Sequence, residues 1–211
     1  MTAPGLRRFI EGTRAKVVPG ERCEMCAEPL GPDHSHVADL KGRTVMCACR
    51  ACYLLFTRDG AAQNRYRAIP DRYRYDPEFR MTPAQWDELG VPVNLIFVFR
   101  NAEQDRHVAF YPGPAGATES MLPTEAWSEI LAANASVADL APDVEAVVLR
   151  RAGDRFEGYL VPIDACYELV GRMRMNWRGF DGGEDVWREV DAFFDRVVER
   201  AEDARPAGDE A

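Results

Sequence analysis

Apolar residues follow two patterns along the chain, one typical of buried strands and one typical of amphipathic helices. Short runs rich in β-branched and aromatic residues predict strands. Apolar residues at helical spacing predict helices. We expect strands at residues 93–99, 107–111, 144–149 and 156–161, and helices at residues 83–90, 123–133, 163–173 and 184–200.

The helix at 83–90 has a well-signalled start. Thr82 can cap it, Pro83 suits its first turn, and Gln85 completes a capping box. Pro92 prevents the helix from continuing. The order strand, strand, helix then occurs twice after residue 92, which suggests an internal duplication as a hypothesis.

These elements predict an α+β fold in which a small Cys-rich module precedes a larger α+β domain. Five of the six cysteines lie between residues 23 and 52, and all four tryptophans lie after residue 80. The predicted organisation is an N-terminal arm (1–20), a zinc-ribbon-like Cys-rich module (21–60), an Arg/Tyr-rich bridge (61–80), an α+β domain (81–200) and a disordered acidic tail (201–211).

Composition narrows the class of protein. The chain has 211 residues, of which 46% are apolar and 29% charged, and this excludes a wholly disordered chain. The most apolar run, residues 91–99, is too short to insert in a membrane, and Glu11 interrupts any secretory signal. We therefore expect a cytoplasmic protein whose cysteines bind metal rather than form disulfides.

The net charge of −9 is unevenly distributed. Residues 1–80 carry 14 Lys and Arg against 10 Asp and Glu, while residues 81–211 carry 12 against 25. The Arg/Tyr-rich bridge has a composition that suits nucleic acid, but the isoelectric point of about 4.9 opposes it. We expect the bridge to lie across the larger domain, or else to bind an acidic protein partner.

Two Cys-x-x-Cys pairs carry the clearest chemistry in the sequence. Cys23 and Cys26 form the first pair, and Cys49 and Cys52 form the second after 22 intervening residues. Such pairs supply the four tetrahedral ligands of a structural Zn²⁺ site. Zinc binding to such ligands is worth about 10–16 kcal/mol, enough to fold a module that has few apolar residues. Iron stays an alternative, although neither pair has the Cys-Pro-x-Cys-Gly pattern of rubredoxin-type sites.

Cys47 is a fifth cysteine beside a four-ligand site. It could replace Cys49 as a ligand, lie buried on a strand, or serve as a free regulatory thiol. His34 and His36 lie in the connecting segment and could join Cys47 at a second metal site. The alternative is that both histidines are solvated residues of a loop.

Several segments of the chain resemble one family of uncharacterised, mainly actinobacterial proteins. The resemblance covers about residues 5–200. It implies a role near nickel–iron uptake hydrogenases, in assembly or electron delivery, because the family is associated with their gene neighbourhoods. The segments that carry the resemblance are residues 23–30, 47–56, 111–120, 160–167 and 177–187.

The sequence favours a binding protein over an enzyme, because no Ser/His/Asp or Cys/His catalytic arrangement can be assembled from it. The leading hypothesis is a zinc-binding accessory protein that acts through protein–protein contacts, with a hydrogenase component as partner. One alternative is a rubredoxin-like iron electron carrier that uses Cys23, Cys26, Cys49 and Cys52. Another is a metalloenzyme with the additional Cys/His site.

Overall fold

The protein is described by a computed structural model over residues 21–58, 60–179 and 182–203. Within these ranges the chain is an α+β protein whose strands pair antiparallel in two sheets. The predicted arm and most of the predicted tail lie outside the described residues. The strands are β1 (Ser35–Asp39), β2 (Thr44–Ala48), β3 (Tyr66–Ala68), β4 (Arg74–Asp76), β5 (Leu95–Asn101), β6 (Arg106–Gly113), β7 (Gly116–Ser120), β8 (Glu145–Ala152) and β9 (Arg155–Pro162), and the helices are α1 (Arg50–Leu54), α2 (Pro83–Glu88), α3 (Thr124–Ala133), α4 (Ala135–Ala138), α5 (Ile163–Asn176) and α6 (Gly183–Asp203).

The Cys-rich module is built on a three-stranded sheet with the order β2-β1-β3. The sequence predicted none of its strands, because each has five residues or fewer and mixes polar with apolar positions. The segment expected to be a connecting loop therefore contains β1, and His36 is a strand residue. Val37 on the central strand β1 and Ala48 at the end of β2 are both fully buried.

The larger sheet has the order β4-β9-β8-β5-β6-β7 and is covered on both faces. Alternate residues of β5 point to opposite sides: Leu95 and Phe97 join one core cluster, and Ile96 and Val98 join the other. This two-sided burial explains why the strand reads as a continuous apolar run. The predicted turn at Gly153 and Asp154 joins β8 to β9 as a two-residue hairpin.

Helices cover the two faces of the large sheet. Helices α5 and α6 pack on one face, and α2, α3 and α4 pack on the other. The two strand-strand-helix units thus place their helices on opposite faces. A two-fold axis relating the antiparallel neighbours β5 and β8 would keep both helices on the same face. The arrangement therefore does not support the duplication hypothesis.

Three segments differ from the sequence-based expectations. The Pro/Gly-rich segment from 112 to 120 lies outside the strands that the sequence predicted, but it ends β6 and forms β7. The Arg/Tyr-rich bridge supplies one strand to each sheet, β3 and β4. The last helix continues through Asp203, so residues 201–203 are helical rather than part of the tail.

The Arg/Tyr-rich bridge, residues 61–80, makes polar contacts with other parts of the large domain. Arg72 binds the fully buried carboxylate of Glu145, with its Nε 2.7 Å from Oε1. Arg200, near the end of α6, donates to the Tyr73 hydroxyl at 3.0 Å and to Asp71 at 2.6 Å.

Among the described residues, no helix has the length and apolar character needed to cross a membrane.

Candidate metal centre

The first cysteine pair lies on a tight turn at the start of the described chain. The Leu30 N–H donates to the Glu21 carbonyl at 2.9 Å and closes the base of the turn. The N–H of Ala27 donates to the Cys23 carbonyl at 2.8 Å, and Ala27 has a left-handed backbone with φ of 63°. This turn directs both sulfur atoms to the same side.

The second cysteine pair lies at the start of helix α1. Cys49 is the N-cap residue, and its Sγ accepts from the Cys52 N–H at 3.5 Å. Ala48, fully buried at the end of β2, fixes where the helix begins. The helix has five residues, and none of them is buried.

The two turns bring Cys23, Cys26, Cys49 and Cys52 together, with all four sulfur atoms within 4.8 Å of one another. The Sγ atoms of Cys26 and Cys49 are 3.6 Å apart. A tetrahedron with Zn–S bonds of about 2.3 Å has edges of about 3.8 Å, so the cluster is compatible with one metal ion. Cys23 is buried, while Cys26 is exposed. The cluster therefore lies at the surface with one side against the protein.

Hydrogen bonds within the cluster shift the pKa values of Cys23 and Cys52 in opposite directions. Burial acts to raise the pKa of Cys23, but backbone hydrogen bonds from Cys49, Cys26 and Met25 outweigh it and lower that pKa to about 6. Hydrogen bonds with the sulfur atoms of Cys26 and Cys49 raise the pKa of Cys52 to about 12. The Cys23 thiolate thus forms readily, while the raised pKa values of Cys26 and Cys52 oppose their ionisation. A divalent cation would reverse that resistance by stabilising every thiolate it binds.

Cys47 does not belong to this cluster. It lies on β2 directly opposite His36 on β1, and its sulfur, with ring nitrogens of His34 and His36, forms a second group. The three ligand atoms all lie within 4.8 Å of one another. Neither histidine is a solvated loop residue, because the side chain of His34 is only 8% exposed and that of His36 28% exposed.

Asp164 contacts the second group through His36, and no pattern in the sequence predicted this contact. Its Oδ2 lies 2.7 Å from Nδ1 of His36, although the two residues are 128 positions apart. This contact raises the pKa of His36. Asp164 lies in the first turn of α5, where an acidic residue is ordinary, so the sequence carried no signal of the contact.

Glu24 connects the two groups through the backbone. Its N–H donates to the Cys47 carbonyl at 2.9 Å, and its Oε2 accepts from the Cys47 N–H at 2.6 Å. Glu24 stands inside the first Cys-x-x-Cys pair, so the first turn pairs with β2 beside Cys47. A displacement of one group would therefore be transmitted to the other.

The fold and the sulfur cluster together define an α+β protein with a cysteine group compatible with metal binding. The chain belongs to the family described as "Family of unknown function (DUF5947)", whose model matches residues 22–201. That match includes all four cysteines of the cluster and both sheets. No curated protein and no solved structure matches the chain. The association with hydrogenase genes stays a prediction.

Proposed function

We propose that the protein is a zinc-binding accessory protein, in which one structural Zn²⁺ holds the Cys-rich module in shape for contacts with another protein. The observation that carries the proposal is the convergence of Cys23, Cys26, Cys49 and Cys52 within 4.8 Å. Four thiolates occupy all four coordination positions of a tetrahedral zinc ion and leave none for a substrate, which is the arrangement of a structural site.

The small size of the module supports a structural role for the metal. Its sheet has one strand of three residues and two of five, and helix α1 buries none of its residues. A sheet of this size needs a hydrophobic face or packing against another element to be stable. Metal binding worth about 10–16 kcal/mol would supply what the apolar contacts of the module do not.

Exposed apolar residues beside the cluster support a role in protein contact. Leu54 and Leu55 follow Cys52 by two and three residues and are 51% and 66% exposed. The centres of protein interfaces are often apolar and poor in charged residues, so exposed leucines are suited to such a contact. The family resemblance adds the hypothesis that the partner is a component of nickel–iron hydrogenase assembly.

Metal analysis of the full chain, purified without added metal, tests the proposed cofactor. We expect a colourless protein that contains Zn²⁺, and we expect Cys23→Ser to lose that ion and the fold of the module. A red protein with a reducible visible spectrum would instead support the iron electron carrier. Cys166→Ser is the control, because Cys166 is buried in the core of the larger domain, away from the cluster.

Affinity capture from the native cell tests the proposed partner. We expect a hydrogenase component to be recovered with the wild-type chain and lost with the double variant Leu54→Glu, Leu55→Glu. Met121→Glu is a matched control, since Met121 is 94% exposed and lies outside the module. Recovery of no hydrogenase component with the wild-type chain would contradict the hydrogenase hypothesis.

A further inference from the structure

The side chains of His34, His36 and Cys47 lie close together in a group that is separate from the four-cysteine cluster. His36 and Cys47 are opposite partners in the β1–β2 ladder, which places their side chains on one face of the small sheet. His34 precedes His36 by two residues, and the two rings meet edge to face with centroids 4.8 Å apart. Strand pairing thus brings three metal-ligating side chains to one place.

The hydrogen bonds of both histidines fix the same tautomer. Nδ1 of His34 lies 3.0 Å from the Gly31 carbonyl, which can only accept, so Nδ1 carries the proton. Nδ1 of His36 lies 2.7 Å from the carboxylate of Asp164 and donates to it in the same way. In both neutral rings the lone pair is therefore left on Nε2, the atom free to bind a metal.

Nε2 of His34 is buried and has no hydrogen-bond partner within the described residues. The side chain around it is 8% exposed. A buried polar atom without a partner costs about 1–3 kcal/mol, so such atoms are uncommon in folded proteins. Coordination of a metal ion would satisfy this nitrogen.

We propose that His34, His36 and Cys47 form a second metal site, which binds a divalent transition-metal ion of the zinc type and keeps one coordination position for a ligand from outside the group. This site goes beyond the structural zinc proposed above and rests on it, because its residues lie in the module that the zinc holds in shape. Two imidazoles and one thiolate are ligands that Zn²⁺ accepts, and three protein ligands with an open fourth position are typical of reactive rather than structural zinc.

The surroundings of the group favour a cation. A divalent ion with one thiolate carries a net charge of +1, and the carboxylates of Asp164 and Glu21 lie beside the histidines, with Glu21 Oε2 3.5 Å from Nδ1 of His34. The pair of Asp164 and His36 resembles the carboxylate–histidine–metal arrangement that orients zinc ligands in many proteins. Asp164 would therefore be a positioning residue for His36.

Equilibrium dialysis of the full, untagged chain against Zn²⁺ tests the proposal by metal stoichiometry. We expect two ions per wild-type chain, and one ion per chain for Cys47→Ser and for His34→Gln. His107→Gln is the matched control, because His107 lies on β6 outside the group, and it should keep two ions. We expect Asp164→Asn to keep the stoichiometry at saturation but to weaken binding of the second ion by about 10–100-fold.

Replacement of zinc by Co²⁺ identifies which site each ion occupies. The ion lost in Cys47→Ser should contribute the sulfur-to-cobalt absorption of one thiolate, and the remaining ion should keep the spectrum of a four-thiolate site. That remaining spectrum also shows that the module is folded in the variant. Cys23→Ser is expected to unfold the module and lose both ions, so Cys47→Ser, which keeps the four-thiolate spectrum, is the variant that distinguishes failure of one site from failure of the other.

A wild-type chain that binds one ion with a four-thiolate cobalt spectrum would overturn the proposal. So would two ions retained in both Cys47→Ser and His34→Gln. If His34→Gln fails to fold, judged by loss of its four-thiolate cobalt spectrum, Cys47→Ser decides the outcome by itself, because a serine side chain is close in size to cysteine.

Discussion

Glu145 is the clearest single residue on which the large domain depends. Its side chain is fully buried, and its carboxylate accepts from Arg72 and, at 2.7 Å, from the Ala141 N–H. The pKa of Arg72 is raised by this contact. A buried charge that loses its partner is strongly destabilising, whereas an exposed pair contributes little.

We expect Glu145→Gln to lower the free energy of unfolding by about 1–3 kcal/mol, because the amide nitrogen of glutamine would face N–H donors from which the buried carboxylate accepts. Urea unfolding followed by tryptophan emission measures this. Glu119→Gln is the control: the Arg106–Glu119 pair is about half exposed on both sides, so a loss of at most about 1 kcal/mol is expected. Equal losses in the two variants would contradict the role assigned to Glu145.

Asp39 should make the small sheet less stable at acid pH than at neutral pH. Hydrogen bonds from Arg65 and from the Gly42 N–H lower the pKa of Asp39. A carboxyl whose pKa is lower in the folded state stabilises the fold above its unfolded pKa of about 3.9, and this contribution is lost as the pH falls through the folded pKa.

We therefore expect Asp39→Asn to be less stable than wild type at pH 7, with a difference that shrinks as the pH is lowered toward 3. Urea unfolding of both proteins, followed by far-ultraviolet circular dichroism, provides the measurement, with the zinc content of each sample determined so that loss of the metal at acid pH is separated from the effect of Asp39. Asp105→Asn, which alters the exposed pair with Arg100, should change stability little at any of these pH values. A difference for Asp39→Asn that stays constant from pH 7 to pH 3 would argue against the assignment.

Residue types and spacing were sufficient to predict some of the site but not all of it. The spacing of the two Cys-x-x-Cys pairs gave the four-cysteine group, because each pair is local and needs only a tight turn. The group of His34, His36 and Cys47 depends on the register of β1 with β2. The contact with Asp164 crosses 128 residues, and no local pattern encodes a contact of that range.

At the scale of elements, the close contact between β9 and the chain after β4 rests on a glycine. A Cβ built on Gly158 would lie 2.2 Å from the ring of Phe79, so the ring sits where a side chain would be. Gly171 on α5 has nothing within 4 Å of the same position. The two glycines therefore differ in what they tolerate, although each lies inside a regular element.

We expect Gly158→Ala to destabilise the protein by about 1–3 kcal/mol, because Phe79 must move and the β4–β9 edge must shift with it. Gly171→Ala should instead stabilise it by up to about 1 kcal/mol, since alanine favours helix. Thermal unfolding of both variants gives the comparison. Opposite signs are the expected result, and destabilisation by both would contradict the contact at Gly158.

Elements with strong periodicity or clear end signals were predicted well, and short edge strands were not. The capping box at Thr82 and Gln85 is present as the sequence indicated. The central strand β5 was visible because both of its faces are buried. Strand β7 has three exposed residues at its centre, so its pairing with β6 leaves no apolar alternation in the sequence.

At the scale of the whole molecule, the two sheets are joined but unequal. Ala38 and Ile69 from the Cys-rich side enter the same core cluster as the large sheet. The four-cysteine group lies on the small side, and all four tryptophans lie on the large side. The tryptophans therefore report on the large domain separately from the metal-dependent module.

We expect removal of metal by a strong chelator to abolish amide hydrogen-exchange protection in β1 and β2 while β5, β8 and β9 stay protected. Tryptophan emission should remain close to that of the native protein, because Trp86 and Trp127 are buried on the far face of the large sheet. Emission typical of the unfolded chain after chelation would mean that both sheets unfold as one cooperative unit.

The position of α6 in the chain has a consequence for how the protein is made. Every strand that the structure describes precedes this helix, whose Val190, Phe193, Phe194 and Val197 cover one face of the large sheet. On a ribosome the sheet and α5 can form before α6 is synthesised, and the part of the apolar face that α6 covers then stays exposed for a time on the order of seconds. We expect the nascent chain to be prone to aggregation during that interval, because apolar surface that is exposed during folding favours it.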